Sequence, residues 1–259
     1  MVAVASGKGG VGKSTTAVNL ALGLRAEGRR VGVLDADVYG PSLPRLLGTV
    51  GRKPGVAGKS LLPVEAFGMA TMSMGYLASE DQATIWRGPM VAGALRQFLH
   101  AVRWGALDAL VVDFPPGTGD AHLTLAQSTP IAGAVIVSTP QDIALLDARK
   151  GVRMFEKVAV PVLGIVENMS YFACPHCGGR SEIFGHGGAR READALEAPF
   201  LGEIPLDARI CETSDAGTPV VAADPDGPQA AAYRALARAV AERLSARGPA
   251  DPRPRIRVE

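Results

Sequence analysis

The sequence predicts an α/β fold, doubly wound, with a mostly parallel sheet and helices on both faces, and three observations carry that prediction. Runs at residues 2–5, 30–34, 109–112, 134–138, 162–166 and 201–204 are largely apolar without strict alternation, as strands buried on both faces tend to be. Segments of helical periodicity separate them, among them residues 14–27, 141–155 and 228–246. The first junction reads Gly7-Lys8-Gly9-Gly10-Val11-Gly12-Lys13-Ser14, which matches G-x-x-x-x-G-K-[ST] in the strand, loop, helix setting that a phosphate-binding P-loop requires. A chain of 259 residues that is 47% hydrophobic but only 5% aromatic can pack small side chains closely between helices and sheet. One P-loop NTPase domain is expected over residues 1–247, with a cysteine-bearing loop near 170–188 and a basic, proline-broken tail over 248–259 that should be disordered.

The P-loop comes first in the chain. Its four glycines let backbone N–H groups turn toward phosphate oxygens, and the following helix points its positive end at the same anion. The nucleotide-binding set is therefore Gly7, Lys8, Gly9, Gly10, Val11, Gly12, Lys13, Ser14 and Thr15. Lys13 supplies charge at the β- and γ-phosphates, and the Ser14 hydroxyl stands where Mg²⁺ binds. Lys8 is a second lysine, too early in the loop to share the task of Lys13. The helix over 14–27 has its apolar stripe at Ala17, Leu20, Ala21 and Leu24, and Gly28 closes it.

The next strand delivers Asp35 and Asp37 at its carboxyl end, the end where open α/β sheets bind ligands. Turn capping is the competing role for both aspartates. Residues 49–60, rich in Gly and Lys, read as an exposed loop, and residues 61–74 as a hairpin about Ala66-Phe67-Gly68 at the sheet edge. A helix starts at Arg87-Gly-Pro-Met, while Trp86 and Trp104 are expected to pack. The strand ending in Asp113 has the Walker B form, and a second strand-end carboxylate suits a hard ion that keeps part of its water. Phe114-Pro-Pro-Gly-Thr-Gly-Asp120 follows as a loop with few accessible shapes, able to bring the Gly117 amide to a γ-phosphate; it looks like a second switch. For Asp120, an N-cap of the next helix competes with a direct role. Asn168, at the end of the strand over 162–166, offers a donor and an acceptor to an adenine edge, although a turn role is open to it as well.

Three cysteines are too few for a disulfide framework. Cys174-Pro-His-Cys177 admits three readings. A thioredoxin-type pair wants a helix start at the first cysteine, which Gly178-Gly179 disfavour. Structural zinc needs four ligands, with His176 and His186 completing the set. Two thiolates from each of two chains also make four, the number an iron–sulfur cluster takes. Spacing alone leaves zinc and iron–sulfur open. Cys211 is expected to be a buried apolar cysteine.

The chain opens on its first strand with no charged leader and contains no run of membrane-spanning length, so a cytoplasmic protein is expected, without a membrane partner. A formal net charge of +1 gives no reason to expect nucleic acid.

The pattern K-G-G-x-G-K-[ST] over Lys8–Ser14 resembles the deviant P-loop ATPases, which include the nitrogenase iron protein and the MinD and ParA ATPases. The words E-N-M-S-Y-F-x-C-P-x-C-G, I-F-G-x-G-G and L-G-x-I-P-L-D resemble one branch of them, the Mrp-type (Mrp/NBP35) iron–sulfur carrier ATPases, along nearly the whole chain. That resemblance implies a homodimer that hydrolyses MgATP slowly, bridges a labile four-iron four-sulfur cluster through Cys174 and Cys177 of both chains, and hands it to apoproteins. It implies that Lys8 reaches the other subunit's nucleotide. Asp37 would orient water and touch the magnesium shell with Ser14 and Asp113, and Asn168, Pro205 and Asp207 would hold the base. Many bacterial relatives carry a further small domain ahead of the P-loop; what it contributes, target choice among the possibilities, is open for this chain. The rival is a ParA- or MinD-type positioning ATPase. No bulky amphipathic tail and no basic DNA-binding face support it, and it leaves the cysteines idle.

Overall fold

A computed structural model describes residues 1–77 and 88–246. The expectations for Trp86, Arg87 and the tail at 248–259 lie outside these described residues. In chain order the elements are β1 (Val2–Ser6), α1 (Lys13–Ala26), β2 (Val31–Asp35), α2 (Leu43–Leu46), β3 (Gly55–Ala57), β4 (Ser60–Leu62), β5 (Val64–Ala66), β6 (Met69–Ser73), α3 (Gly88–Ala101), β7 (Ala109–Pro116) and α4 (Asp120–Ser128). The second half contributes β8 (Gly133–Ser138), α5 (Asp142–Lys157), β9 (Val162–Ala173), β10 (Arg180–Ser181), α6 (Gly188–Ala195), β11 (Phe200–Leu206), α7 (Ala208–Asp215), α8 (Val220–Ala223) and α9 (Pro228–Ala246).

One sheet runs in the order β10-β9-β8-β1-β7-β2-β6-β5, with β11 also paired to β9. Every pairing along β11-β9-β8-β1-β7-β2-β6 is parallel, and only the margins, β5 on β6 and β10 on β9, are antiparallel. Each strand is apolar on both sides because successive side chains enter two different cores. Val2 and Val4 point to the layer holding α1, α8 and α9, while Ala3 and Ala5 point to the layer holding α3 to α6. The predicted doubly wound sheet is thus present. β1 lies at its centre, with β7 on one side and β8 on the other, so the P-loop leaves β1 where neighbouring connections diverge.

Several elements differ from the sequence reading. Residues 49–60, expected as a loop, contain β3 and, with Leu61 and Leu62, β4: a two-stranded ribbon whose turn needs Gly58 at φ +65. Three-residue strands with Val56 73% exposed leave no burial pattern to read. β9 does not stop near Val166 but continues to Ala173, with Met169 at φ +55. β7 runs beyond Asp113 to Pro116, and a register shift between Val4 and Ser6 accommodates its prolines against β1. Gly119, not Asp120, occupies the cap position of α4. Trp104 packs on the core as expected and donates to Phe98 O at 3.0 Å. Among the described residues no helix is long and apolar enough to cross a membrane.

Candidate functional site

Residues 7–12 join β1 to α1 under constraint from two sides. A Cβ on Gly7 would lie 2.1 Å from Asp147 O of α5, and one on Gly12, at φ +80, would lie 2.2 Å from Asn168 Nδ2. No larger residue fits either place without moving backbone or a buried amide. The Ser6 hydroxyl donates to Lys8 O at 2.8 Å. Asn168 Nδ2 donates to Val11 O at 2.8 Å, so β9 holds the far turn of the loop. Lys13, 7% exposed, pairs its ammonium with the Asp113 carboxylate and donates to Ser14 Oγ at 3.1 Å. Ser14 and Thr15 are half-buried in the first turn of α1, whose leading N–H groups have no intrahelical acceptor.

β2 and β7 bring Asp35 and Asp113 into register. Asp35 is buried and serves as a hub: Oδ1 accepts from Asp37 N, and Oδ2 from Ser42 N, Leu43 N and the Ser73 hydroxyl, all at 3.0–3.1 Å. Burial first, then the charge of Asp113, pushes its carboxyl up to about 7. Burial also raises Asp113, outweighing Lys13 and Ser14, which hold it down; Asp37 adds a smaller upward push. Three carboxylates facing one buried ammonium leave a deficit of positive charge, and oxygen donors with that deficit suit Mg²⁺. Asp37 is half-buried and Oδ1 accepts from Gly40 N at 3.1 Å, closing its own turn. Lys8 is half-buried, and among the described residues its ammonium meets no partner. The Gly117 amide, expected at a γ-phosphate, donates here to Ser6 O at 3.0 Å. At the other rim, Asp207 caps α7 through Arg209 N and accepts from Gln229 Nε2 at 2.6 Å, while Pro205 is half-buried in β11.

The cysteine pair stands on the same strand as Asn168. β9 turns at its end and returns as β10, and Cys174 N donates to Gly179 O while Gly178 N donates to Cys174 O, both at 2.9 Å. Backbone N–H groups of Cys177 and His176 aim at the Cys174 sulfur and lower its pKa, which prepares a thiolate in a metal-binding type of turn. Both cysteines are free. His186 does not join them: its Nε2 lies 2.5 Å from Arg180 Nη2 and 3.1 Å from Glu203 Oε1. Cys211, expected to be buried, is exposed on α7, its thiol 3.8 Å from Asp215 Oδ2; the apolar stripe of that short helix turns elsewhere.

The family model for the NUBPL iron-transfer P-loop NTPases, within the ParA group, matches residues 1–241. The chain belongs to this family. The iron-sulfur cluster carrier protein of Salmonella typhimurium is 54% identical over 97% of this chain and 69% of its own length. The iron-sulfur cluster transfer protein NUBPL of Mus musculus is 53% identical over 94% of this chain and 77% of its own. A solved nucleotide-binding protein from Archaeoglobus fulgidus, in complex with ADP, is 45% identical with a TM-score of 0.75, covering 83% of this chain and 85% of that one. The cell division ATPase MinD of Pyrococcus furiosus, 23% identical with a TM-score of 0.70 over 93% and 98%, shares the fold.

In this member of the NUBPL family several residues matter whose roles the motifs did not reveal. Glu167 is buried and accepts from Ser170 Oγ, Gly187 N and Ala189 N, capping α6 from the middle of β9. Glu167, His186 and Glu203 bring one ligand atom each to within 4.8 Å of one another, with Glu167 accepting from Gly187 N and Ala189 N and the Arg180 guanidinium lying against His186 and Glu203. Arg180 also stacks 3.9 Å above Tyr171, fastening the cysteine hairpin to its own base. Glu167 opens the word E-N-M-S-Y-F, but that word does not say what the carboxylate holds, because its partners lie 3–22 residues away.

Proposed function

We propose that this chain is an ATP-dependent iron–sulfur cluster carrier: two copies close on MgATP, share a four-iron four-sulfur cluster through Cys174 and Cys177 of each, and pass it to apoproteins. The observation that carries this reading is the turn at the end of β9, where backbone amides converge on the Cys174 sulfur, on the strand that also holds the P-loop through Asn168. The names of relatives more than 50% identical support the same cargo.

In the nucleotide half, the Lys13 ammonium leaves Asp113 for the β- and γ-phosphates. Ser14 and Asp113 would hold the magnesium that accompanies the nucleotide, which offsets charge on the transferring phosphoryl group. Asp37 orients the attacking water, and Lys8, half-buried and without a partner among the described residues, reaches the neighbouring copy's nucleotide. Gly7 to Thr15 wrap the phosphates, and Asn168, Pro205 and Asp207 border the base. Hydrolysis is slow, since its rate depends on two chains placing charges together, and it changes dimer geometry and with it the grip of four thiolates. One domain over residues 1–247 carries both halves.

Anaerobic reconstitution with iron and sulfide tests this reading. A brown dimer with one cluster per two chains, lost in Cys177→Ala while ATP binding persists, is expected. Tight zinc in place of cluster uptake would reject the cargo and leave the ATPase.

A further inference from the structure

His122 belongs to none of the motifs above, yet it is only 5% exposed and stands directly behind the second switch. Its Nε2 lies 2.8 Å from Pro115 O. A carbonyl only accepts, so the proton is on Nε2, and Nδ1 is left as a buried acceptor without a partner. An apolar side chain could fill this space without stranding a nitrogen, so packing does not account for an imidazole here.

The sheet holds this strand, β7, through Asp113 O, which accepts from Ala36 N at 2.9 Å, and through pairing with β1 as far as Pro116. Pro115 and Pro116 carry no N–H, so this end of β7 can be fastened only through carbonyls and flanking residues. One flank is Asp113, bound to Lys13. The other is Gly117, at φ +101 with its amide on Ser6 O; a Cβ there would meet His122 Cε1 at 3.7 Å. His122 itself is fixed by the first turn of α4, where its amide donates to Gly119 O at 3.0 Å.

We propose that His122 is the positioning residue of the second switch: its Nε2–H ties the Pro115 carbonyl to α4, and so keeps Asp113 and Gly117 in register with the P-loop during hydrolysis. The kinetic consequence rests on the ATPase reading above; the latch itself does not. Full-length wild type, His122→Ala and His122→Gln are compared by hydrogen exchange of the segment 113–119 and by steady-state ATP hydrolysis. A glutamine amide reaches about where Nε2 stands.

In His122→Ala the Gly117 amide should exchange faster, and kcat should fall roughly tenfold to a hundredfold, the size of effect that a small misplacement near reacting groups produces. KM should stay near the wild-type value. His122→Gln should restore most of both. Unchanged exchange in His122→Ala overturns the proposal, as does a His122→Gln chain as defective as His122→Ala, which would mean ring packing alone. If wild type itself does not hydrolyse ATP, the ATPase reading falls and the exchange comparison still decides the latch. If His122→Ala does not fold, His122→Asn, whose amide stops short of Pro115, takes its place.

Discussion

At the scale of single residues, the site is a small volume where charge is deliberately unbalanced. Lys13 and Asp113 neutralise each other, and Asp35 remains with only neutral donors around it. Its carboxyl sits near 7, above the ordinary aspartate range. Between those two values the unfolded chain has released a proton that the folded chain keeps, so stability falls as pH rises through that window. One such group sets a slope of at most about 1.4 kcal/mol per pH unit. Urea denaturation of the nucleotide-free protein from pH 4.5 to 7.5 should show this fall, and Asp35→Asn should flatten it; an unchanged slope would remove Asp35 as its source. The two lysines should separate cleanly. Lys13→Ala strips a buried carboxylate of its partner and should cost on the order of 3 kcal/mol in the nucleotide-free state. Lys8→Ala removes a side chain with no partner among the described residues and should change stability by less than about 0.5 kcal/mol.

At the scale of elements, β9 does most of the organising. Within two consecutive positions it caps α6 through Glu167 and grips the P-loop through Asn168, and six residues later it reaches Cys174. Glu167→Gln sets an amide N–H against backbone donors that need an acceptor, so it should lower stability by about 1–3 kcal/mol in urea. Loss confined to cluster binding, with stability intact, would contradict the capping role. Arg180→Ala removes the stacking on Tyr171 and the contacts to His186 and Glu203. If the cysteine turn holds the cluster as proposed, it should then lose it faster to a chelator while ATP affinity holds. The sequence marked the start of β9 and the cysteines but not the unbroken strand between them, because its latter half pairs with β10 and β11 and is half-exposed.

At the scale of the whole molecule, one chain supplies the paired thiols of Cys174 and Cys177 and a lysine, Lys8, that meets no partner among the described residues. If Lys8 serves the neighbouring nucleotide, mixing Lys8→Ala chains with Lys13→Ala chains should recover hydrolysis that neither has alone. The mixed pair holds one site with Lys13 from the first chain and Lys8 from the second. Failure of the mixture to exceed its parents, with mixed dimers present by mass, would place Lys8 in its own chain's site.

The sequence by itself determined the sheet, the P-loop, the strand-end acids and the cysteine pair, because each is written in contiguous residues whose spacing has few structural solutions. Gly7 to Ser14 needs only its neighbours to become a phosphate loop. Tertiary structure alone decided that Asn168 holds the P-loop, that Asp35 is a buried hub for the amides of the turn that follows it, that Cys211 faces solvent, and that His122 stands behind Pro115. Each of those depends on which distant backbone group or charge arrives beside the side chain. That is settled by how two helical layers pack across one sheet, and no local spacing records it.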